Sequence, residues 1–588
     1  MSADATAAPS RNRALEHPEN AFRRALAFAG GGLLIFTLSL DALDPPMPIA
    51  SFFFHGEDFV FLVGMGLFLL ALAVARLPIR FSPPPWTMRR PFLIGFGAAG
   101  AALAIAAIGA VYCFRQFDLV RDELDANFDA TIFLSGHLLA PLAAEWRPFV
   151  EAFRGPTFVL PVPADVAWAT PYLPGNAALR ALMSTLVGPQ WTNPILLGVA
   201  IAATFGVANR LWSGRPDAAI VAVMLLATSA QALVNAMTSY AMTGHLALNM
   251  LWLWLFLRGG RVSHGFAALA GFIACGLHQL VFHPLFVAPF ILSLLFERRF
   301  RLFVYYVGAY AGICAFWTEY YALAQWIEGV PAVAASAVGS GFLIERVGKL
   351  LADANIGAVF LMMGNLARFL AWQNPVALPL VALGLGAVWR GDKAARPLAG
   401  GMVLATLAFG VLMPQQGNGW GYRYLHGFLG SWCLLAGYGW LAAMEHCEVA
   451  QRRAAGAAVA IAIAVSFFLL VPLRVEQVVA SEQPYRAATE TIARADADVV
   501  LVDRTHLMHG GGLVRNDPYL RNRPLTLDLL FVDDNLFPVL CAAHKVAVLT
   551  EERALALGVP YFSTAKKWDE LREQKLGALR RSCWREVG

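Results

Sequence analysis

The segment FDLVRDELDANFDATIFLSG, residues 117–136, follows directly on an apolar run that covers residues 91–114. Aspartates recur in this segment at spacings of four, three and four: Asp118, Asp122, Asp125 and Asp129. These spacings predict a helix with all four carboxylates on one face and Glu123 beside them. Like charges at such spacings repel each other, so the face requires either solvent or a cationic or protic partner. A solvated acidic face and a functional site are both open at this point.

The composition is that of an integral membrane protein. The 588-residue chain is 58% hydrophobic and 14% charged, with a mean hydropathy of +0.57. A soluble domain is usually about a quarter charged. The apolar residues also form long unbroken runs, which predict membrane-spanning helices. We therefore predict a polytopic helical membrane protein. The net charge of +5 lies mostly in arginine-rich loops and gives no argument for nucleic-acid binding.

The charges of the loops predict the orientation. Spans are predicted at 25–40 and 59–75, and the hairpin between them contains acids but no Lys or Arg. The next loop carries four arginines: Arg76, Arg80, Arg89 and Arg90. The positive-inside rule places this loop in the cytoplasm, so the third span, 91–114, leads outward. The acidic segment is therefore predicted on the outer face.

About thirteen spans are predicted in total by hydropathy and loop charge. The further ones lie at 192–209, 217–235, 242–257, 265–279, 282–296, 302–318, 375–389, 398–413, 424–443 and 454–472. Two long outer segments interrupt them, at 115–190 and 319–374. The first is rich in Trp and Pro, including Trp146 and Trp168, which favours short helices at the membrane interface. The second has an amphipathic portion at 342–372.

The chain is accordingly divided into four predicted regions. Residues 1–24 form a cytoplasmic tail without a cleavable signal, residues 25–90 two additional N-terminal helices, residues 91–473 the membrane core, and residues 474–588 a polar domain on the outer side. In the last region VVLVD and KVAVL predict strands and EERALALG a helix, which indicates a small α/β domain.

Cysteines and histidines give weak signals for other chemistry. Cys541 and Cys583 lie in the polar C-terminal region, where an oxidising compartment would let them pair, a point that the sequence leaves open. His506 and His509, in HLMHGGG, have the potential to bind a metal, but two histidines in a glycine-rich loop are more often surface residues.

Several polar side chains lie near the predicted outer ends of spans: His245, His278, His283, Tyr422, Arg423 and Tyr424. Ionisable groups at membrane depth are costly, so each is a candidate functional residue. Structural roles remain open as well. His278 and His283 could instead form hydrogen bonds within an irregular turn. His245 could bridge neighbouring helices, and Arg423 could extend to lipid headgroups.

The candidate groups fit one reaction class. Clustered carboxylates accept a proton from a hydroxyl group, and the fork of an arginine suits a phosphate. Gly419 and Gly421, just before Arg423, favour a backbone shaped for close approach. A carboxylate base and a phosphate-binding cation are what sugar transfer from a lipid-phosphate donor requires. A donor with a polyprenyl tail would enter sideways from the bilayer.

At this point the chain resembles a known family. The matching pieces, in order, are RDELDANFDATIFLSGHLLAP, ATPYLPGNAAL, MTSYAMTGHLALNMLWLWLFL, GFIACGLHQLVFHPLFVAPF and GYRYLHGFLGSWCLLAGYG. Their order and sidedness are similar to those of the GT-C superfamily of polyprenyl-phosphate-sugar-dependent glycosyltransferases. Within it, the likeness is to bacterial relatives of the protein mannosyltransferases and to the lipid A aminoarabinose transferases. Residues 1–90 lie outside the likeness.

The resemblance implies roles for individual residues. Asp122 would be the catalytic base, Glu123 would orient or assist it, and Arg423 would bind the donor phosphate with His245 and Tyr422. Further site candidates are Asp125, His278, His283 and Tyr424. The resemblance also implies inversion at the sugar. His283-Pro284 stands where relatives tend to carry Arg-Pro. Some members use a divalent metal, and a metal held by Asp122, Glu123 and a histidine is left open.

The resulting hypothesis is a glycosyltransferase of the bacterial inner membrane, with its N-terminus in the cytoplasm and its C-terminal domain in the periplasm. Its expected partners are an undecaprenyl-phosphate sugar, a glycan, lipopolysaccharide or glycolipid acceptor, and membrane lipids. A transporter or flippase would instead require ionisable residues at mid-span and an internal repeat. A non-catalytic membrane scaffold would not require the acids and Arg423 to converge.

Overall fold

A computed structural model describes residues 18–43, 48–75, 85–154, 165–331, 356–417, 419–445, 447–563 and 566–587. The predicted tail up to residue 17 and residues 342–355 of the predicted amphipathic portion lie outside these ranges. The chain is a polytopic helical membrane protein with a small C-terminal α/β region, as predicted.

The helices up to residue 328 are α1 (Pro18–Leu43), α2 (Pro48–Phe53), α3 (Phe59–Val74), α4 (Pro85–Arg89), α5 (Pro91–Ile108), α6 (Arg121–Leu134), α7 (Val150–Arg154), α8 (Gly175–Leu186), α9 (Thr192–Leu211), α10 (Pro216–Ala227), α11 (Ala230–Ala236), α12 (Met242–Arg258), α13 (Arg261–Cys275), α14 (Phe282–Phe296), α15 (Phe300–Thr318) and α16 (Tyr320–Glu328). Those that follow are α17 (Ile356–Ala371), α18 (Ala377–Trp389), α19 (Ala395–Leu412), α20 (Leu429–Met444), α21 (Val449–Val465), α22 (Val471–Ala493), α23 (Phe537–Ala543), α24 (Glu551–Ala556) and α25 (Lys566–Ser582). The strands are β1 (Ala140–Pro141), β2 (Ala167–Trp168), β3 (Val499–Val502), β4 (Leu525–Asp528) and β5 (Val546–Leu549).

Each predicted span coincides with a helix or a pair of helices. Among the described residues, eight helical segments are long and apolar enough to cross a membrane, or nine if α10 and α11 form one span with a bend of 52°. The bend lies at Ser229, whose side chain accepts the N–H of Ala232 and so begins a new helix. The other predicted spans correspond to the shorter helices α12, α13, α14 and α18.

The membrane helices α18 and α20 pack unusually closely, because each presents a glycine to the other. A Cβ atom at Gly384 would collide with the carbonyl of Leu435, and one at Gly439 with the carbonyl of Leu380. Small residues that let helix backbones approach are a common means of packing helices in membranes, where no hydrophobic effect drives the helices together. The contact therefore fixes the position of α20, the helix that begins just after Arg423.

The acidic helix differs from its prediction at its N-terminus. Helix α6 begins at Arg121, so Asp118 lies before it and does not share the face of the other aspartates. The cause is Glu123, whose carboxylate accepts the backbone N–H groups of Leu119 and Val120 and thereby caps the helix. The prediction that all four aspartates lie on one helical face is therefore wrong for Asp118.

The C-terminal strands form a three-stranded parallel sheet in the order β4–β3–β5. Strands β3 and β5 and helix α24 confirm the predictions made from VVLVD, KVAVL and EERALALG. Strand β4 was not predicted, because its LTLD sequence is too short to show a pattern. Cys541 and Cys583, left open by the sequence, form a disulfide.

The tryptophans of the first long segment pack against this sheet. Trp146 and Trp168 are 5% and 2% exposed, in a hydrophobic cluster that also contains Leu501 and Leu527. The indole N–H of Trp168 donates to the carbonyl of Pro518 at 2.8 Å. The prediction that these two tryptophans lie at the membrane interface is therefore wrong. We call the part of the molecule around this cluster the β-lobe (the described residues of 137–168 and 496–587).

The last membrane helix continues beyond its predicted end at residue 472. A helical segment runs from Val449 to Ala493 and carries the chain into the β-lobe without a break. Helix α22 therefore joins the membrane part to the β-lobe rigidly. This continuity matters for the site, because the β-lobe contacts the acidic helix.

Candidate functional site

Asp122 and Arg423 meet at the centre of the candidate site. Asp122 lies in the first turn of α6, where the helix dipole favours a negative charge. Its Oδ2 accepts a hydrogen bond from Nη1 of Arg423 at 2.6 Å, and its Oδ1 accepts one from the hydroxyl of Tyr172 at 2.7 Å. Most of the membrane helices lie between Asp122 and Arg423 in the sequence, so the pair joins distant parts of the chain.

Arg423 is almost fully buried, and its surroundings hold it in place. Only 3% of its surface is exposed, and its guanidinium lies 4.5 Å from the ring centre of Tyr240. Its backbone N–H donates to the side chain of Gln416 at 2.7 Å. Its Nε has no hydrogen-bond partner among the described residues. The guanidinium is thus fixed by one carboxylate and one ring.

The backbone before Arg423 has the shape that its glycines predicted. Gly421 adopts a φ of +69°, and a Cβ atom there would lie 2.7 Å from the side chain of Gln231. A Cβ atom at Gly419 would collide with the side chain of Arg423 itself. Both positions therefore require glycine.

The charge state of Asp122 follows from its neighbours. Burial alone would raise its pKa, but the charge of Arg423, the nearby His278 and the hydrogen bonds from Arg423 and Tyr172 together lower the pKa below its ordinary value. Asp122 is therefore ionised at neutral pH. His278 stacks on Tyr172 with ring centres 3.9 Å apart. Burial lowers the pKa of His278 to about 4, so its imidazole is neutral.

Glu123, the next residue along the helix, has different partners and a different charge state. It is 1% exposed, and its Oε2 accepts the N–H groups of Leu119 at 3.0 Å and Val120 at 3.3 Å. Burial and the neighbouring charge of Asp118 raise its pKa to about 8. Glu123 therefore carries its proton at neutral pH. Its contacts fit the orienting part of its predicted role, because it fixes the start of the helix on which Asp122 lies.

The remaining carboxylates of α6 are buried as well. Asp125 and Asp129 are 6% and 4% exposed. Asp129 accepts hydrogen bonds from the backbone and the hydroxyl of Thr170, and burial raises its pKa to about 7. One oxygen of Asp125 has no partner among the described residues. The interpretation of this helix as a solvated acidic face is therefore wrong.

The other predicted site residues surround one aromatic ring. Phe282 lies 5.0 Å from His245, 6.3 Å from His278 and 5.8 Å from Tyr424, measured between ring centres. Tyr422, whose ring lies 5.6 Å from that of Tyr424, extends the cluster. His245 and Tyr422 are buried, and neither side chain has a hydrogen-bond partner in the described part of the chain. The hydrogen bonds of Asp122 come instead from Arg423 and Tyr172.

His283 has a structural position instead. Its ring nitrogens lie 2.7 Å from Oδ1 of Asn249 and 2.7 Å from the hydroxyl of Tyr310. It therefore bridges α12, α14 and α15. The open alternative of a structural hydrogen-bonding role fits His283, although its partners lie on helices rather than in a turn.

A buried ionic network, not predicted from the sequence, holds the loop before Arg423. Arg368 donates to the carbonyls of Gly419 at 2.5 Å and Gly421 at 3.3 Å. The same guanidinium pairs with Glu57 at 3.0 Å and Asp58 at 3.2 Å. Asp58 also pairs with Arg474 of α22 at 3.0 Å. The N-terminal hairpin is thus connected to the backbone that carries Arg423.

The described residues do not fit a metal site. No group of three or more His, Cys, Asp or Glu side chains among them is arranged to hold an ion. Asp122 faces a guanidinium and Glu123 faces backbone N–H groups, neither of which is compatible with a shared cation. His506 lies 2.8 Å from Glu551 and 2.7 Å from Asp569, and His509 stacks on Phe53.

Comparisons with known proteins give structural likeness only. No family model matches the chain, and no curated protein matches it. It is similar to the crystal structure of ArnT from Cupriavidus metallidurans bound to undecaprenyl phosphate, with 12% identity over 85% of this chain and 90% of that chain and a TM-score of 0.45. It is also similar to the apo state of the same protein, with 12% identity over 79% and 88% of the chains and a TM-score of 0.43. At 12% identity the structural likeness does not assign a role to any residue or a reaction to the chain. Both have to be argued from the contacts of the site.

The ionic network predicts a large effect of removing Asp58. The substitution Asp58→Asn leaves Arg474 without its paired carboxylate and Arg368 with Glu57 alone, and breaking a buried pair costs about 3–5 kcal/mol. We expect a clearly lower denaturation midpoint in detergent. Asp41→Asn is the matched control, because Asp41 pairs with His55 at 3.2 Å with both side chains more than 40% exposed, and such pairs are worth about 0–1 kcal/mol. Equal midpoints for the two variants would contradict the network.

The pKa of Glu123 predicts a pH dependence of stability. Because its pKa is raised from 4.5 to about 8, the folded chain keeps a proton that the unfolded chain releases between these values. The resulting stability is complete below the lower value and is lost as the pH rises through the higher one. We expect Glu123→Gln, which keeps the acceptor oxygen and does not ionise, to flatten the fall of the denaturation midpoint between about pH 6 and about pH 8.5. Glu145→Gln, at an exposed position, should keep the wild-type slope; the same slope in Glu123→Gln would refute the assignment.

Proposed function

We propose that this protein is a membrane glycosyltransferase, which moves a sugar from an undecaprenyl-phosphate carrier to a glycan, lipopolysaccharide or glycolipid acceptor. The observation that carries the proposal is the contact of an ionised, partly exposed carboxylate with a buried arginine. We place the reaction at the periplasmic face of a bacterial inner membrane, with the N-terminus in the cytoplasm.

Asp122 has the properties of the proton acceptor. Its carboxylate is ionised, and each oxygen accepts one hydrogen bond, which leaves a lone pair on each for an incoming hydroxyl. Its side chain is 17% exposed, so it is reachable although the helix around it is buried. In the proposed reaction the acceptor hydroxyl gives its proton to Asp122 as its oxygen attacks the anomeric carbon.

Arg423 has the properties of the group that stabilises the leaving phosphate. The bond between the anomeric carbon and the phosphate oxygen breaks while the new glycosidic bond forms, and the electron pair leaves with the lipid phosphate. A guanidinium fixed by Asp122 and Tyr240 is already oriented, so little reorganisation is needed as the negative charge develops. Attack from the face opposite to the phosphate gives inversion at the sugar.

A pocket beside Asp125 is suited to the acceptor. Its volume is about 180 Å³, and its wall combines α6 with the β-lobe segment at residues 514–518. Polar groups and aromatic rings line it together: Arg121, Asp125, Asn127, Arg515, Phe128, Phe153 and Trp168. Such a combination suits a sugar, whose hydroxyls need donors and acceptors and whose ring faces pack on apolar surfaces. In this proposal the β-lobe contributes to acceptor binding.

The alternatives fit the geometry less well. A scaffold would not require Asp122 and Arg423 to converge, yet their nitrogen and oxygen atoms lie 2.6 Å apart. A transporter would place its ionisable groups at mid-span. Here Asp122 lies at the start of α6, His278 in the turn between α13 and α14, and Arg423 just before α20.

The substitution Asp122→Asn tests the base. It keeps the shape of the side chain and removes the proton acceptor, so we expect transfer to fall by about 10²–10⁴-fold. Turnover is measured in liposomes with a panel of undecaprenyl-phosphate sugars, as release of undecaprenyl phosphate. Asp129→Asn is the matched control, because Asp129 is buried on the same helix but bonds to Thr170. Equal turnover in Asp122→Asn would discard the base, and a wild type that consumes no donor would discard the enzyme.

The pocket predicts a selective effect of Asp125. The substitution Asp125→Leu removes a carboxylate that lines the pocket without breaking the ion pair of Asp122. We expect the KM for the acceptor to rise by about tenfold, the equivalent of one hydrogen bond. The KM for the donor should stay the same. A change in donor KM with no change in acceptor KM would place the acceptor elsewhere.

A further inference from the structure

A second cavity lies at the other end of the membrane helices. Arg423 precedes the N-terminus of α20, whereas Tyr438 and Leu441 near the end of α20, and Glu445 just after it, line a cavity of about 920 Å³. A helix of this length separates its ends by about 24 Å. The cavity therefore belongs to the opposite membrane face and is separate from the proposed glycosyl-transfer site. We call it the basic cavity.

Cations outnumber acids in the wall of the basic cavity. Its cationic side chains are Arg210, Arg215, Arg299, Arg390 and Lys393, and its acidic ones are Glu297, Asp392 and Glu445. They come from four connections that are far apart in the sequence, so the fold and not one basic run brings them together.

The acids are partly occupied by other groups. Oδ1 of Asp392 accepts the N–H groups of Ala394 and Ala395 at 2.9 Å and the hydroxyl of Tyr438 at 2.8 Å. Glu297 lies 3.7 Å from Arg299. Three acidic side chains stand against five cationic ones in the wall, so they do not neutralise the cations.

Two of the cationic side chains have no hydrogen-bond or ion-pair partner among the described residues. Arg210 donates to the carbonyls of Leu257 and Arg258 at the end of α12, and Arg215 pairs with Asp217 at 2.9 Å. In contrast, the side chains of Arg390 and Lys393 make no hydrogen bond or ion pair within the described part of the chain. Both line the cavity and lie three positions apart in the loop after α18. They are available for an anion.

The rest of the wall is apolar. Phe256, Leu257, Phe290 and Leu441 line the same cavity, on helices that belong to the membrane part of the molecule. Apolar side chains contribute nothing to the binding of a soluble anion. A phospholipid, in contrast, places its phosphate among cations and its chains along apolar side chains. The arrangement indicates an amphiphilic ligand with a phosphate group.

We propose that the basic cavity binds the phosphate headgroup of an anionic membrane phospholipid, with Arg390 and Lys393 as its principal ligands. The lipid comes from the leaflet opposite to the one that supplies the sugar donor. Because the cavity is bounded by α18 and α20, which also pack through Gly384 and Gly439, bound lipid stabilises this helix pair by mass action.

The test compares the double variant Arg390→Gln/Lys393→Gln with the wild type, using the full chain purified in detergent. Phosphatidylglycerol is added at increasing concentration, with phosphatidylcholine as the zwitterionic reference. Bound lipid is counted by native mass spectrometry, and the denaturation midpoint is measured in parallel. We expect phosphatidylglycerol to bind and to raise the midpoint of the wild type, and its affinity for the variant to fall by roughly tenfold or more.

The control is Arg301→Gln/Arg453→Gln, which makes the same change in net charge at two exposed positions outside the cavity wall. This variant should keep the wild-type response. Equal binding of the two lipids by the wild type, or equal losses in both double variants, would overturn the proposal. Inorganic phosphate provides the remaining arm: stabilisation by phosphate without binding of phosphatidylglycerol would show a soluble anion and overturn the lipid source.

Discussion

The contact of Asp122 with Arg423 is the constraint on which the rest of the site depends. Burying a carboxylate and a guanidinium is costly unless each satisfies the other, and removing one leaves an uncompensated charge. The pair therefore requires that α6 and the loop before α20 be held within hydrogen-bond distance of each other. The glycines of that loop, the hydrogen bond from the backbone N–H of Arg423 to Gln416 and the cap of α6 all hold this arrangement in place.

Adjacent carboxylates have different properties because their neighbours differ. Asp122 faces a cation and two hydrogen-bond donors, so its pKa falls. Burial and the charge of Asp118 raise the pKa of Glu123 to about 8, although its hydrogen bonds from backbone N–H groups act in the opposite direction. One side chain is therefore available to accept a proton at neutral pH, while its neighbour holds the helix in place. Environments that move pKa values apart are how a site assigns roles to similar groups.

The sequence predicts the membrane architecture well, because a chain in a bilayer has to satisfy its backbone within each helix and hydropathy records this directly. It also indicates Asp122 and Arg423 as candidate site residues, through the spacing of the carboxylates and the glycines just before the arginine. It does not show that they pair, since nothing local links positions so far apart. Asp118 was misplaced because the cap formed by Glu123 starts the helix after it. Trp146 and Trp168 were misplaced because tryptophan suits both a membrane interface and a buried core.

The N-terminal hairpin is tied to the site by ion pairs. Arg368 contacts two carbonyls of the loop that carries Arg423, and it also pairs with Glu57 and Asp58. If Arg368 had only backbone carbonyls as partners, its buried positive charge would have no negative charge to balance it. The geometry of the loop and the carboxylates of the hairpin therefore depend on each other. Arg474 of α22 shares Asp58, and α22 leads directly into the β-lobe. The hairpin, the loop of Arg423 and the support of the β-lobe therefore converge on one buried aspartate.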